Sequence, residues 1–175
     1  MRKLKVTELN RLTPEAYKES PKIPLVVILD HIRSLNNVGS VFRTSDAFRV
    51  ESIYLCGITA CPPNVEIHKT ALGAEESVDW RYFEDTLEAV DNLKQQGFVV
   101  CAVEQVEGSV MLDKLLLDKN KKYAIIMGNE VKGVQQSVVD KCDMCIEVPQ
   151  FGTKHSLNVS VTTGIVIWEL FKQLR

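Results

Sequence analysis

Short apolar runs alternate along the chain with segments whose apolar residues recur at the helical period. The clearest run, residues 24–29, has no polar face and is typical of a strand that is buried on both sides of a sheet. Further strands are predicted at residues 52–56, 78–83, 98–103, 123–127 and 145–148. Strands separated by helical segments predict an α/β fold with a mostly parallel sheet flanked by helices.

The helical period predicts four helices, which cover residues 37–48, 85–96, 134–142 and 157–174. On the first, Val38, Val41, Phe42 and Phe48 share one face, and Arg43 lies off that face. The polar residues 1–22 predict an N-terminal arm, which leaves residues 23–175 as the domain.

In a parallel sheet, ligands bind beyond the carboxyl ends of the strands. The pattern therefore places candidate sites in the loops that follow Leu29, Val103, Met127 and Val148. Three clusters of polar residues and glycines fall in those loops.

The first cluster, residues 30–43, leaves a strand and enters a helix. Asn37 lies at the predicted helix start, where an Asn side chain can cap free N–H groups. Arg43 follows two turns later and is long enough to reach back towards that end and bind a phosphate. A capped helix with an ordinary surface arginine explains the same spacing equally well.

The second cluster places Glu130 between Gly128 and Gly133. The glycines have the spacing of a phosphate-binding loop, but Val134 and Gln135 occupy the positions of its Lys and Ser or Thr. A phosphate loop, and with it a small-molecule nucleotide enzyme, is excluded. Glu130 is either a functional carboxylate or a turn acid that caps the next helix.

The third cluster, residues 148–160, is a strand exit followed by Ser156, Asn158 and Ser160. Either Ser156 or Asn158 could cap the last helix. Three polar residues exceed what capping requires, which favours an additional role for this segment.

Composition narrows the choice of function. The chain has 175 residues and a net charge of −2, so an RNA site would need a local basic patch. No apolar run is long enough to span a bilayer or to form a signal peptide, and a cytoplasmic location is expected. Five cysteines, with Cys142 and Cys145 as a lone Cys-x-x-Cys, favour reduced, buried thiols over a zinc site, and no metal is expected.

The order and spacing of the three clusters resemble the SpoU/TrmH family of knotted SPOUT RNA methyltransferases. Residues 37–47, 126–134 and 148–160 are similar to the family's three motifs, and the resemblance extends over residues 24–173. It implies a C-terminal deep trefoil knot, S-adenosylmethionine as cofactor, and methylation of a ribose 2′-hydroxyl in tRNA or rRNA. It also implies a homodimer in which each site is completed across the interface.

The resemblance also implies roles for individual residues. The loops that would hold the cofactor contribute Val103, Glu104, Met127, Gly128, Gly133, Ile146, Val148, Ser156 and Leu157.

The same resemblance makes Arg43 the central catalytic group, which would bind the adjacent phosphate and stabilise alkoxide character. Asn37 would orient Arg43 or the ribose, and Glu130 would hold loop backbone or Arg43. Ser156 and Asn158 would shape the place where methyl donor and ribose meet. The short arm favours tRNA over rRNA. A non-catalytic RNA-binding module is the alternative, which the presence of Arg43, Asn37 and Glu130 disfavours.

Overall fold

The computed structural model describes residues 1–175 apart from the side chain of Val6. One sheet contains all of the strands β1 (Ile23–Asp30), β2 (Val50–Cys56), β3 (Trp80–Phe83), β4 (Phe98–Val103), β5 (Val110–Met111), β6 (Lys122–Met127) and β7 (Met144–Glu147). Their order across the sheet is β3-β2-β1-β6-β4-β7-β5, and neighbouring strands run parallel. The predicted α/β class with a parallel sheet is confirmed.

Helices cover both faces of the sheet. They are α1 (Pro14–Glu19), α2 (Leu35–Ala47), α3 (Val65–Ala71), α4 (Ala74–Ser77), α5 (Thr86–Gln95), α6 (Gln136–Val139) and α7 (Val159–Leu174). Two single 3-10 turns, Val6–Glu8 and Leu112–Lys114, complete the elements.

Strand β1 shows why an uninterrupted apolar run was required. Its alternate residues face opposite sides of the sheet. Val27 and Leu29 pack with residues of α2 and α7, whereas Val26 and Ile28 pack with residues of α5. All four are at most 1% exposed, so a polar residue at any of them would be buried.

Helix α2 begins two residues earlier than the pattern predicted. The residue that caps it is Ser34, whose side chain accepts a hydrogen bond from the backbone N–H of Asn37. Asn37 was expected to be the cap and instead lies in the first turn, where its amide is available to other elements. On the same helix, Val38, Val41 and Phe42 are buried and Arg43 is exposed, as predicted.

Helix α6 is much shorter than the predicted residues 134–142. The backbone of Gln135 is extended, with ψ 138°, so this residue is the N-cap and the helix cannot begin before Gln136. At the other end, the N–H of Asp143 already donates to Val100 in the sheet.

The pattern also missed elements that precede or link the strands: α1, α3, α4 and β5. Helix α1 lies within the predicted arm, has Pro14 at its first position and Thr13 as its cap, and buries Tyr17 in the core. The Thr-Pro pair was an available signal for it.

Within the described part of the chain, no helix combines the length and apolarity needed to cross a bilayer. The order of the strands does not decide the trefoil knot, which stays a prediction.

Candidate active site

A cleft of about 700 Å³ lies at the carboxyl ends of β4, β6 and β7. Its walls are the loops that follow these strands, together with the start of α7. All nine residues expected to bind a cofactor line it, namely Val103, Glu104, Met127, Gly128, Gly133, Ile146, Val148, Ser156 and Leu157. The volume is within the ordinary range for small-molecule sites.

Glu130 joins the loop after β6 to the start of α2. One carboxylate oxygen accepts the backbone N–H of Arg33 at 2.9 Å. The other accepts the N–H of Ser34 at 3.0 Å and the amide Nδ2 of Asn37 at 3.1 Å. Partial burial raises the pKa of Glu130, but these donors outweigh it, so the pKa lies below its ordinary value. Either loop backbone or Arg43 was expected to be the partner of Glu130, and the structure shows the loop backbone.

Asn158 connects the third cluster to the first. Its Oδ1 accepts the N–H groups of Ser160 and Val161 and so caps α7, which decides between the two caps left open by the sequence. Its Nδ2 donates to Oδ1 of Asn37 at 3.2 Å. Asn37 thus lies between Glu130 and Asn158, and one chain of hydrogen bonds links all three clusters.

Asn129 is a site residue that sequence reasoning missed. Its Nδ2 donates to the carbonyl of His31 at 2.6 Å, and its Oδ1 accepts the N–H groups of Val131 and Lys132. The side chain therefore shapes the turn that presents Glu130. An Asn that follows a glycine after a strand is a turn signal and could have identified it.

The loop after β6 folds so closely that side chains are excluded from it. A Cβ on Gly128 would lie 2.2 Å from the carbonyl carbon of Gly133. Gly133 has φ +67°, and a Cβ there would lie 2.2 Å from a carboxylate oxygen of Glu104. That carboxylate accepts the N–H groups of Val134 and Gln105, both at 2.9 Å. At these two glycines the wall of the cleft is consequently backbone without side chains, and Glu104 helps to hold it in place.

The chemistry of the lining suits an organic cation with a flat apolar part. Apolar side chains of β4, β6, β7 and their loops line the cleft beside exposed backbone. The three carboxylates of Glu104, Glu130 and Glu147 outnumber the one ammonium group of Lys132 in the lining, which favours a positive charge on the ligand. No group of His, Cys, Asp or Glu among the described residues could hold a metal ion.

Arg43 does not reach this cleft within one chain. It is exposed on α2 and has no hydrogen bond or ion pair to any described residue. Six residues separate it from Asn37, which corresponds to about 240° of rotation around a helix. Its side chain therefore leaves α2 on a different side from the amide that binds Glu130.

Helix α7, which packs against α2, exposes a row of apolar side chains. Leu157 precedes the helix, and Val161, Ile165 and Trp168 follow at helical spacing, each between 38% and 52% exposed. The ring of Trp168 also lies 5.6 Å from that of Phe48, at the end of α2. A contiguous exposed apolar surface of this kind is typical of a protein interface.

The five cysteines are free thiols. Cys142 and Cys145 pack against the core layer on the α5 side of the sheet. Burial raises the pKa of Cys142 to about 12 and also raises that of Cys145, so both thiols are protonated at neutral pH.

Residues 24–168 match the model of the SpoU rRNA methylase family. The 23S rRNA (guanosine-2′-O-)-methyltransferase RlmB of Neisseria meningitidis is 32% identical over 150 residues, which are 86% of this chain and 59% of that protein. The chain spans about three fifths of the length of the curated relatives it matches.

Two solved structures show the same fold. The TrmH/SpoU tRNA modifying enzyme of A. aeolicus has a TM-score of 0.79 and 27% identity, over 91% of this chain and 79% of that one. The AdoMet-bound rRNA methyltransferase of Sinorhizobium meliloti has a TM-score of 0.80 and 26% identity, over 94% of this chain and 62% of that one.

Proposed function

Because the chain belongs to the SpoU rRNA methylase family, we propose that it transfers a methyl group from S-adenosylmethionine to a ribose 2′-hydroxyl in RNA. The observation that carries the proposal is the line of hydrogen bonds from Glu130 through Asn37 to Asn158, which ties the three motifs together at the cleft. The N. meningitidis relative, named as a guanosine-2′-O-methyltransferase, supports the ribose hydroxyl as acceptor.

The lining of the cleft fits this methyl donor. The absence of side chains at Gly128 and Gly133 lets the loop after β6 fold closely against Val134 and Glu104 at the wall of the cleft. The apolar side chains of the lining suit the flat ring of an adenosine. The carboxylate of Glu104 suits a ligand that carries positive charge. S-adenosylmethionine supplies an electrophilic methyl group on a sulfonium. The AdoMet-bound neighbour from S. meliloti supports this choice of cofactor.

We further propose that the enzyme is a homodimer and that Arg43 serves the cleft of the second copy. Arg43 is exposed without a polar partner in the described part of its own chain, and α2 packs beside the apolar row of α7. Burying that row against a second copy would remove apolar surface from water and bring α2 to the interface.

In this arrangement, Arg43 binds the phosphate next to the reactive ribose and stabilises the negative charge that develops on the 2′-oxygen, while that phosphate relays the hydroxyl proton to water. A guanidinium stays protonated and does not act as the base. Asn37, fixed between Glu130 and Asn158, orients the ribose, and Ser156 closes the wall of the cleft beside it. Holding acceptor and methyl donor in line supplies much of the rate enhancement.

We propose tRNA rather than rRNA as the preferred substrate. The tRNA modifying neighbour is matched over 79% of its length, the rRNA methyltransferase over 62%.

We also propose that residues 23–175 form the methyltransferase domain, with residues 1–22 as an arm anchored by Tyr17. The free thiols fit a reducing compartment, which favours the cytoplasm.

The test is tritium transfer from labelled S-adenosylmethionine to purified tRNA and to rRNA. We expect label in tRNA, located at a 2′-O-methylated nucleotide, and a loss of about 10²- to 10³-fold in Arg43→Ala. Arg81→Ala, an exposed arginine on β3, is the matched control and should retain activity. Cofactor and RNA binding without any transfer would contradict the enzyme and support the RNA-binding module. Label confined to rRNA would contradict only the choice of substrate.

A further inference from the structure

The segment that leads from β7 to α7 carries a solvent-exposed aromatic ring. The side chain of Phe151 is 98% exposed, so it contacts almost nothing in its own chain. Its neighbours Gln150 and His155 line the cleft, which places Phe151 at the rim of the proposed active site.

The segment is fastened on both sides of this ring. It leaves the sheet where β7 ends at Glu147, and Asn158 caps α7 at its other end. Between them, the carbonyl of His155 accepts the amide of Gln105 at 2.8 Å, a bond to the loop after β4. Phe151 is therefore presented from a tethered loop and not from a free terminus.

The charge of the segment indicates what the ring contacts. Lys154 and His155 are exposed, neither has an ion-pair partner among the described residues, and residues 148–158 contain no acidic side chain. A ring beside an unpaired lysine and a histidine matches a nucleic-acid strand, because bases stack on aromatic faces while phosphates attract the lysine and accept hydrogen bonds.

The apolar row of α7 has a different composition. Val161, Ile165 and Trp168 form a continuous surface on one helix, as a protein partner requires, whereas Phe151 stands between Gln150 and Gly152. Of the two macromolecules that could cover the ring, the surroundings of Phe151 favour RNA.

We infer that Phe151 stacks on an unpaired base of the substrate RNA next to the methylated nucleotide, while Lys154 and His155 contact its phosphates. This inference rests on the proposed function. Only a base that is unstacked from its neighbours offers its face to a side chain, so the methylated site lies in a loop, a bulge or another single-stranded segment.

The experiment compares Phe151→Ala, Phe151→Leu and Phe151→Trp by fluorescence anisotropy with a labelled single-stranded oligoadenylate and with the matching duplex RNA. Replacement by Ala should weaken single-strand binding about tenfold and leave duplex binding unchanged, because stacking on one base is lost. Leu should behave as Ala, and Trp should restore wild-type binding. Leu116→Ala, 89% exposed on another loop, is the matched control.

In the transfer assay, Phe151→Ala should raise the KM for tRNA by about tenfold, as it weakens single-strand binding. It should leave kcat and the Kd of S-adenosylmethionine unchanged. Equal losses on single-stranded and duplex RNA, or full binding by the Leu variant, would overturn the stacking role. So would a loss that follows dissociation of the dimer in sedimentation. If the wild-type protein transfers no methyl group, the proposed function fails, while the anisotropy series still decides whether Phe151 stacks on bases.

Discussion

In the cleft, the loop after β6 is hydrogen-bonded to the loop after β4 and to the start of α2, which in turn bonds to the start of α7. The side chain of Arg43 on α2, in contrast, forms no hydrogen bond or ion pair with any described residue. Both regions belong to the same three motifs. One half of the proposed site is therefore organised by a single chain, and the other half is left open on an exposed helix.

The difference indicates how the two halves are stabilised. The bonds that join the three clusters link segments of the same chain that are distant in sequence, so folding of one chain suffices to order the cleft. The exposed face of α2 lies beside the apolar row of α7, and the proposed association with a second copy would cover that row. Cofactor binding should consequently depend on the chain itself, and transfer should depend on the second copy.

Mixing two inactive variants tests most directly whether Arg43 serves the cleft of the second copy. Arg43→Ala keeps an intact cleft, and Gly128→Ala keeps Arg43 but places a Cβ 2.2 Å from the backbone of Gly133. After equal subunits are mixed and exchanged, half of the dimers carry one complete site of two. We expect transfer to recover to about a quarter of the wild-type rate.

The measurement is tritium transfer by the mixture, with each variant alone as the control. If Arg43 served the cleft of its own chain, no dimer would contain a complete site, and the mixture would stay as inactive as its components. Failure of mixed dimers to form would be visible by affinity capture of one tagged subunit.

A second prediction concerns the cleft alone. Because the backbone around Gly128 and Gly133 leaves no space for a Cβ, Gly128→Ala must displace the loop that lines the cleft. The Kd of S-adenosylmethionine, measured by calorimetry, should rise at least about tenfold, the loss expected when a well-placed binding interaction worth roughly 1.4 kcal/mol disappears. Arg43→Ala should leave that Kd unchanged.

Circular dichroism and thermal unfolding of Gly128→Ala separate a displaced loop from a misfolded chain. Cofactor affinity that stays at the wild-type value in a folded Gly128→Ala protein would show that the loop after β6 is not part of the cofactor site. A raised Kd in Arg43→Ala would instead show that Arg43 affects cofactor binding, which the hydrogen bonds within one chain do not indicate.

The parts that the sequence predicted are those that depend on local pattern. The strands, the buried face of α2 and the loops that carry the clusters follow from periodicity and from the rule that sites lie at strand ends. The nine cofactor positions came from the family resemblance, and all of them line the cleft.

The parts that sequence reasoning missed depend on partners far along the chain. Helix α6 ends early because the N–H of Asp143 donates to Val100, which precedes it by 43 residues and lies in the sheet. Asn129 holds the carbonyl of His31, 98 residues away, and no local signal names that partner. The side of α2 from which Arg43 projects became clear only once Asn37 was seen to face Glu130.

A third, smaller effect should appear with pH. Partial burial raises the pKa of Glu130, but the N–H groups of Arg33 and Ser34 and the amide of Asn37 lower it by more. The net pKa therefore lies below its ordinary value. The folded state therefore favours the ionised carboxylate. Its contribution to stability is present above the pKa of the unfolded chain and is lost as the pH falls through the lower, folded value.

The comparison is urea unfolding of the wild-type protein and Glu130→Gln between pH 7 and pH 3. The wild-type protein should be more stable at pH 7, and the gap should narrow below about pH 4.5. Because the carboxylate is largely exposed, solvent screening keeps the gap small. A gap that stays constant over the whole range would mean that the charge of Glu130 does not hold the loop.

The smallest predicted effect comes from two substitutions that separate the hydrogen-bonding roles of the Asn158 side chain. Its Oδ1 caps α7 and its Nδ2 reaches Asn37. Ser replaces the capping oxygen but not the amide donor, so Asn158→Ser should cost only a few tenths of a kcal/mol in unfolding free energy, against about 1 kcal/mol for Asn158→Ala. If the bond to Asn37 matters for orienting the ribose, both variants should lose the same amount of transfer activity despite this difference in stability. Activity that instead follows stability, with the Ser variant close to wild type, would reduce Asn158 to a helix cap and limit the hydrogen-bonded half of the site to Glu130 and Asn37.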